Sequence, residues 1–122
     1  NIQKRNNNLR FFLKNLNKEI FFTDFDLNGM SNYAFNLILK NKDHILMKKI
    51  CNNLKKNKVE FRRGSAGGGN QLYQPYIPKH LMLKYKNDLN NTDHIHYFGM
   101  YIGNYPELKK NQIKRILNII NN

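Results

Sequence analysis

The run FRRGSAGGGNQLYQPY, residues 61–76, constrains how the rest of the chain can fold. Gly64–Gln71, called here the glycine loop, offers almost no side chain that a core could bury, so the stretch is predicted to be a loop. Its glycines permit positive φ or a close approach of the backbone to another group. The preceding VEFRR, residues 59–63, has the composition of a short strand. The glycine loop is therefore expected to follow directly from a strand.

Upstream of this run, the spacing of apolar residues predicts two helices and a strand. Three- and four-residue spacing indicates a helix over Ile2–Ile20, followed by an irregular connection over Phe21–Met30. SNYAFNLILK, residues 31–40, alternates like a strand with one apolar face. Asp43 is placed to cap the next helix. The apolar faces predicted for the strand and for this helix are Tyr33, Phe35, Leu37 and Leu39, and Ile45, Leu46, Ile50 and Leu54.

Downstream, Pro75 is predicted to open a short helix that runs through Leu83, and Lys84–Asp93 is predicted to be a polar surface loop. HIHYFGMYIGNYP, residues 94–106, is predicted to be a strand interrupted at Gly99, and residues 107–122 have the spacing of a closing helix. The element order predicts an α+β fold in which about three strands pack with helices.

Length and composition favour one folded domain over residues 1–122. Hydrophobic residues make up 40% of the chain, and no apolar run approaches the roughly 18 residues that a membrane span needs. The N-terminal NIQKRNNNLR is polar and is not followed by the apolar block of a signal peptide. We therefore expect a cytoplasmic protein with no membrane partner. Cys51 is the only cysteine and fits a small buried hydrophobe better than a reactive thiol.

The net charge of +13 suggests a polyanionic partner such as nucleic acid. Asparagine, however, fills about a sixth of the chain, and together with the abundant lysine and isoleucine it indicates a compositional bias that raises lysine content without any ligand. Of the arginines, only Arg62 and Arg63 stand beside the glycine loop. A small nucleic-acid-binding module is kept as an alternative, and nucleic acid is the less favoured partner.

Candidate chemical sites outside the loop are weak. His94 and His96 would share a face if they lay on a strand, but no cluster of other ligands completes a metal shell, so no metal site is predicted. The sequence also shows no combination of nucleophile, base and acid that would indicate a catalytic site. Core packing is the preferred interpretation of the aromatic side chains, which are Tyr33, Phe35, Tyr97, Phe98 and Tyr101.

The run 61–76, with SNYAF upstream and HIHYFGMYIGNYPEL downstream, resembles the C-terminal small domain of the DegT/DnrJ/EryC1 family of sugar aminotransferases and dehydrases. These are fold-type-I enzymes that use pyridoxal phosphate (PLP) on nucleotide-linked keto sugars. The resemblance covers essentially the whole chain. Its glycine-rich GSAGGGNQL is most similar to the branch that removes the C3 hydroxyl of a CDP- or GDP-linked 4-keto-6-deoxyhexose, a step of deoxysugar and O-antigen (lipopolysaccharide) biosynthesis.

The resemblance implies a substrate-facing role for the glycine loop, with a nucleotide-linked sugar as partner and a homodimer as the full-length form. The implied substrate-binding residues are Arg62, Arg63, Ser65, Gly67, Gly68, Gly69, Asn70 and Gln71. Because Arg62 and Arg63 are consecutive in a predicted strand, their side chains should point to opposite faces, and the sequence does not say which one meets an anion. If the glycine loop were only a passive connection, none of these roles would apply.

Two features depart from the family pattern. Tyr73 stands where the dehydrase branch usually has an arginine, so one phosphate contact is in doubt. The motifs of the large cofactor-binding domain, including its Schiff-base lysine or the histidine that replaces it, are absent from this chain. The resemblance thus implies PLP in a full-length enzyme, no cofactor held by this chain alone, and no activity of the isolated chain. A nucleotide-sugar aminotransferase is the alternative within the family.

Overall fold

A three-stranded antiparallel sheet with helices packed on it forms the centre of the computed structural model, which describes residues 1–122. The strands lie in the order β1-β3-β2, where β1 is Ala34–Ile38, β2 is Arg62–Arg63 and β3 is Gly99–Gly103. The helices are α1 (Ile2–Asn15), α2 (His44–Lys56), α3 (Lys79–Tyr85), α4 (Asn90–Phe98) and α5 (Lys110–Ile120). The predicted α+β class with three strands is confirmed. None of the helices combines the length and apolar character that a membrane crossing requires.

The pairing of β1 with β3 fixes the register of the sheet. Phe35 lies opposite Ile102 and Leu37 opposite Met100, and all four side chains are buried. Alternation in SNYAFNLILK therefore identifies the buried face correctly from Phe35 onward. Tyr33 does not belong to that face: it precedes β1 and is 65% exposed.

The core lies between the sheet and α1, α2 and α5. The rings of Phe12 in α1 and Phe35 in β1 stack with centroids 4.3 Å apart, and both side chains are fully buried. In α2 the buried stripe is Met47, Ile50, Cys51 and Leu54, which is a regular three- and four-residue spacing. Ile45 falls outside that spacing and is 84% exposed, so its predicted burial is wrong.

The helix boundaries confirm some predictions and correct others. The Asp43 side chain accepts a hydrogen bond from the Leu46 amide and caps α2 as predicted. α1 stops at Asn15 rather than Ile20, because Leu16 takes an extended conformation. The closing helix is present as α5, beginning at Lys110. The predicted burial of Cys51 is also confirmed.

The largest correction concerns residues 75–98, which are mostly helical. The short helix α3 begins after Pro78 rather than at Pro75. The predicted loop Lys84–Asp93 consists of the end of α3, a 3₁₀ turn over Lys86–Leu89 and the start of α4. Residues 94–98 belong to α4, so the predicted strand starts only at Gly99. The physical reason is tertiary packing, since Phe98 is buried in the core; the rings of His94 and Phe98, 5.1 Å apart at the four-residue spacing of one helix face, add a local contact.

Replacing Phe12 tests the central stacking pair. We expect Phe12→Ala to lower the free energy of unfolding by about 3–5 kcal/mol, because it leaves a cavity against Phe35. Phe11→Ala is the matched control, since Phe11 is the neighbouring residue in α1 and is only partly buried. Urea unfolding followed by circular dichroism measures both. Equal losses in the two variants would show that the core is not centred on Phe12.

Candidate functional site: the glycine loop and its neighbours

The glycine loop leaves β2 and lies directly against α4. The Gly64 amide donates a hydrogen bond of 2.8 Å to the Gly99 carbonyl, which joins the start of the loop to the start of β3. A Cβ atom at Gly64 would overlap the Ile95 carbonyl oxygen of α4. The loop backbone therefore approaches the helix more closely than any side chain would allow.

The centre of the loop has the positive φ angles predicted for it. Gly67, Gly68 and Gly69 have φ values of 71°, 107° and 60°, and a short 3₁₀ turn spans Ala66–Gly68. A Cβ at Gly67 would meet nothing within 4 Å, whereas one at Gly69 would overlap Nδ1 of His96. The two glycines thus both have positive φ, but they differ in ψ (16° at Gly67 and −129° at Gly69) and in their surroundings.

Asn70 ends the glycine run and is the one predicted site residue that is fully buried, at 3% exposure. Its backbone amide donates a hydrogen bond of 2.8 Å to Nδ1 of His96. Its side-chain Oδ1 accepts a hydrogen bond of 3.1 Å from the Leu72 amide and caps the 3₁₀ turn Gln71–Tyr73. The Asn70 side chain therefore has a structural role, because its oxygen caps the turn that follows the glycine loop.

Ser65 and Gln71 are exposed beside the glycines. The Gln71 side chain accepts a hydrogen bond of 2.7 Å from the Tyr76 hydroxyl. The Gln74 side chain donates a hydrogen bond of 2.8 Å to the Gly68 carbonyl and so ties the turn after the loop to the glycine run. The polar groups that a ligand could reach are therefore the Ser65 hydroxyl, the Gln71 amide and the loop backbone.

Across β2 and β3, Arg62 lies opposite Tyr101 and Arg63 lies opposite the buried Met100, so the two arginines stand on different faces of the sheet, as their consecutive positions predict. Arg63 donates a hydrogen bond of 2.5 Å to the Tyr97 carbonyl, and its guanidinium also approaches the Cys51 sulfur at 3.9 Å. A guanidinium at the last turn of a helix is favoured by the partial negative charge of the carbonyls there. Arg63 is thus committed to the end of α4, and Arg62 is the exposed arginine.

A groove of about 1040 Å³ runs along β2. Both arginines line it, but no residue of Gly64–Gln71 does. Its other charged lining residues are mainly cationic: Lys55, Lys58 and Glu60. Its aromatic walls are Phe61, directly before β2, Tyr101 in β3 and Tyr105 in the turn after β3. The predicted site residues therefore fall into two neighbouring groups, the loop and this cationic groove, with Arg62 next to both.

Tyr73 forms the outer edge of the site. Its hydroxyl donates a short hydrogen bond to the Asp93 carboxylate, and its ring lies edge-on to His96 with centroids 5.4 Å apart. The hydrogen bond to Asp93 raises the pKa of the Tyr73 phenol to about 12, and burial and the charge of Asp93 add to the effect. Tyr73 therefore links the 3₁₀ turn after the loop to α4.

His94 and His96 do not share a face, because they lie on a helix rather than on a strand. Nε2 of His94 lies 2.6 Å from the Leu39 carbonyl oxygen, whereas His96 faces the glycine loop. No group of three or more histidine, cysteine or acidic side chains is placed to hold a metal. Sequence reasoning missed the roles of His96 and Tyr73; the four-residue spacing of His94 and Phe98 is the signal that could have revealed the helix.

The expected burial of the aromatic side chains holds for only part of the set. Phe35 and Phe98 are buried, but Tyr33 and Tyr97 are at least 40% exposed and Tyr101 is partly exposed. The tyrosines keep their hydroxyl groups near water, which a phenylalanine does not need to do.

Comparison with solved structures shows that this fold occurs within larger enzymes. Over 98% of its length the chain is similar to the E. coli GDP-4-keto-6-deoxy-D-mannose-3-dehydratase with bound hydrated PLP, with a TM-score of 0.76 and 21% identity. A variant of GDP-4-keto-6-deoxymannose-3-dehydratase (ColD) with bound GDP-perosamine gives a TM-score of 0.77 and 21% identity. A putative sugar aminotransferase of Streptococcus pneumoniae in its PMP form gives 0.65 and 12%.

The chain spans about 30% of the length of each of these three proteins. No family model matches it, and no curated protein is significantly similar to it in sequence. The structural likeness establishes that the chain has the fold of one segment of these larger proteins.

The side chains of this domain do not themselves form a PLP site. All 16 lysines are exposed, so none lies in the enclosed pocket that a Schiff-base lysine needs. His94 and His96 are both held by hydrogen bonds to the backbone. No step of PLP chemistry is therefore assigned to residues of this chain.

Replacing Tyr73 tests the link between the turn and α4. A raised phenol pKa means that the neutral tyrosine stabilises the fold below its ordinary pKa of about 10, and that this contribution is lost as the pH rises through about 12. We expect Tyr73→Phe to lower the free energy of unfolding at neutral pH by about 1 kcal/mol, a value reduced by solvent screening.

The difference between Tyr73→Phe and the wild type should shrink between about pH 10 and 12, measured by urea unfolding across that range. Tyr76→Phe is the control, since the Tyr76 side chain is exposed and bonds an uncharged amide. A constant difference at every pH would show that Tyr73 does not bond an ionised Asp93.

Proposed function

We propose that this chain is the C-terminal small domain of a PLP-dependent enzyme that acts on a nucleotide-linked 4-keto-6-deoxyhexose and removes its C3 hydroxyl. The observation that carries the proposal is the match of 98% of the chain to a segment of two GDP-4-keto-6-deoxymannose 3-dehydratase structures. The enzyme would belong to the DegT/DnrJ/EryC1 family and work as a cytoplasmic homodimer in deoxysugar or lipopolysaccharide synthesis.

In this proposal the glycine loop faces the hexose. Its backbone is accessible because Gly67 has open space where a Cβ would stand, and the Ser65 hydroxyl and Gln71 amide are exposed on either side. Hydroxyl and amide groups suit the hydroxyls of a sugar, since both can donate and accept hydrogen bonds. The loop orients the sugar and excludes water, while PLP, held by another domain, supplies the electron sink for the reaction.

The cationic groove is proposed to receive the phosphates of the nucleotide. Lys55, Lys58 and Arg62 outnumber the single carboxylate of Glu60 along this groove. Because Arg63 is bonded to the Tyr97 carbonyl, the exposed Arg62 is the better candidate for a direct phosphate contact. Arg62 also lies only two residues before the first glycine of the loop. A phosphate bound by Arg62 and a sugar bound by the glycine loop would therefore occupy adjacent surfaces.

A nucleotide-sugar aminotransferase is the alternative within the same fold, supported by the likeness to the putative aminotransferase. The resemblance of GSAGGGNQL to the dehydrase branch favours dehydration. The alternative of a nucleic-acid-binding module is supported only by the net charge of +13. The lysines that produce this charge are exposed on four helices, α1, α2, α3 and α5, and in the connections between elements.

Binding of GDP-mannose, a stable nucleotide sugar, tests the proposal on the chain itself. We expect a titration followed by NMR of 15N-labelled protein to shift the amides of Ser65 and Gln71 and the side chain of Arg62. Arg62→Ala should weaken the affinity by about tenfold, because it removes a charge-assisted bond to phosphate. Arg10→Ala is the matched control, since Arg10 is an exposed arginine of α1 that lines neither the groove nor the loop.

Titration with duplex DNA at physiological salt separates the alternatives. Scattered lysines should give weak DNA binding that falls steeply with salt and that Arg62→Ala and Arg10→Ala reduce equally. Tight DNA binding with preference for one sequence would favour the nucleic-acid module. Shifts caused by GDP-mannose on the lysine-rich helix faces, with none in the glycine loop, would contradict the proposed function.

A further inference from the structure

His96 is the only side chain of α4 that bonds the backbone of the glycine loop. Its Nδ1 accepts the hydrogen bond from the Asn70 amide at 2.8 Å, and Gly69 packs against the same ring atom. Tyr73 lies edge-on to one side of the imidazole, and Tyr97 lies edge-on at 4.6 Å. Two aromatic neighbours and the loop thus fix the orientation of the ring.

This hydrogen bond requires one particular form of the imidazole. Nδ1 can accept a proton donor only while it carries no proton itself, so the neutral ring must have its proton on Nε2. Protonation at Nδ1 would place an N–H group against the Asn70 N–H group, and two donors cannot bond each other. Histidine side chains gain this second proton within the range of about pH 5 to 8.

His96 is the one histidine at this contact, and the other polar groups around it are already engaged. Tyr73 remains a neutral donor to Asp93, because its raised pKa of about 12 lies far above this range. Asp93 is the carboxylate of the cluster and is engaged by Tyr73, one helical turn before His96. From β2, Arg63 bonds the Tyr97 carbonyl, and from α2, His44 faces Tyr97 and Phe98.

We infer that His96 is the positioning residue of the glycine loop, and that protonation of its Nδ1 releases the segment Gly69–Asn70 from α4. In the neutral form the ring holds the Asn70 amide inward, so the Asn70 side chain is placed to cap the next turn. In the protonated form the loop loses its one bond to the side chains of α4. The fold itself does not depend on this bond, because neither His96 nor Asn70 belongs to the hydrophobic core.

The consequence for ligand binding rests on the proposed function: a loop released in acid would hold the sugar less well. The contact between His96 and Asn70 is independent of that function and can be tested on the chain without any ligand. A failure of GDP-mannose binding would therefore leave this inference standing, and a failure of the contact would leave the proposed function standing.

Amide hydrogen exchange of Asn70 measures the contact. We expect the protection factor of the Asn70 amide, corrected for intrinsic exchange chemistry, to fall between about two- and tenfold from pH 8 to pH 5. The Asn104 amide, which bonds the Tyr33 carbonyl at 2.8 Å in a buried position, reports global stability and should keep its protection. Long-range 15N–1H spectra of the His96 ring at pH 8 should show an unprotonated Nδ1.

Two variants separate the titrating acceptor from a merely structural residue. His96→Asn places Oδ1 two bonds from Cβ, as Nδ1 is, so it should keep the protection of Asn70 but lose the pH dependence. His80→Asn removes an exposed histidine of α3 and should leave the pH dependence unchanged. The inference is wrong if Asn70 is unprotected at pH 8, if its protection does not change with pH, or if His96→Asn retains the wild-type dependence. Should His96→Asn fail to fold, a protonated Nδ1 in the wild type at pH 8 would still refute it.

Discussion

The glycine loop can lie against α4 only because Gly64 and Gly69 have no Cβ. At Gly64 the neighbour is the Ile95 carbonyl oxygen, and at Gly69 it is the His96 ring, so the loop meets consecutive residues of one helix turn. This approach determines where the loop backbone runs after β2 and which groups remain exposed on it. The hydrogen bonds from Gly64 to Gly99 and from Asn70 to His96 then fix the two ends of the glycine run. The glycines therefore serve packing as well as any ligand.

The elements with a strong hydrophobic period could be predicted from the sequence. The alternation around Phe35 and Leu37 identified β1, and the spacing of Ile113 and Leu117 identified α5, because each pattern directly reflects one buried face. The positive φ angles of the glycine run were also predictable, since glycine alone adopts them without a steric cost. These elements place β2 and the start of the loop.

The surroundings of the loop could not be predicted, because the apolar residues of α4 do not recur at a clear helical spacing. His94, His96 and Tyr97 are compatible with a strand, and the helix is decided by tertiary contacts: Phe98 enters the core, and Gly64 packs on the Ile95 carbonyl. Once these residues are helical, His96 turns to the loop and His94 turns away from it. The capping role of the Asn70 side chain could not be predicted either, because a single sequence does not show which backbone amide an asparagine side chain meets.

The comparison of Gly69→Ala with Gly67→Ala tests most directly whether contact with α4 determines the shape of the loop. Both glycines have positive φ, but Gly67 lies near the left-handed region (φ 71°, ψ 16°) and Gly69 lies outside it (φ 60°, ψ −129°), so alanine also costs more backbone energy at Gly69. Only at Gly69 would the new methyl group overlap His96. Measuring both substitutions by urea unfolding in the wild type and in His96→Ala cancels the backbone cost, and we expect the excess loss of Gly69→Ala over Gly67→Ala to shrink by about 1–3 kcal/mol when the ring is removed. An excess loss that is the same with and without the His96 ring would contradict this account.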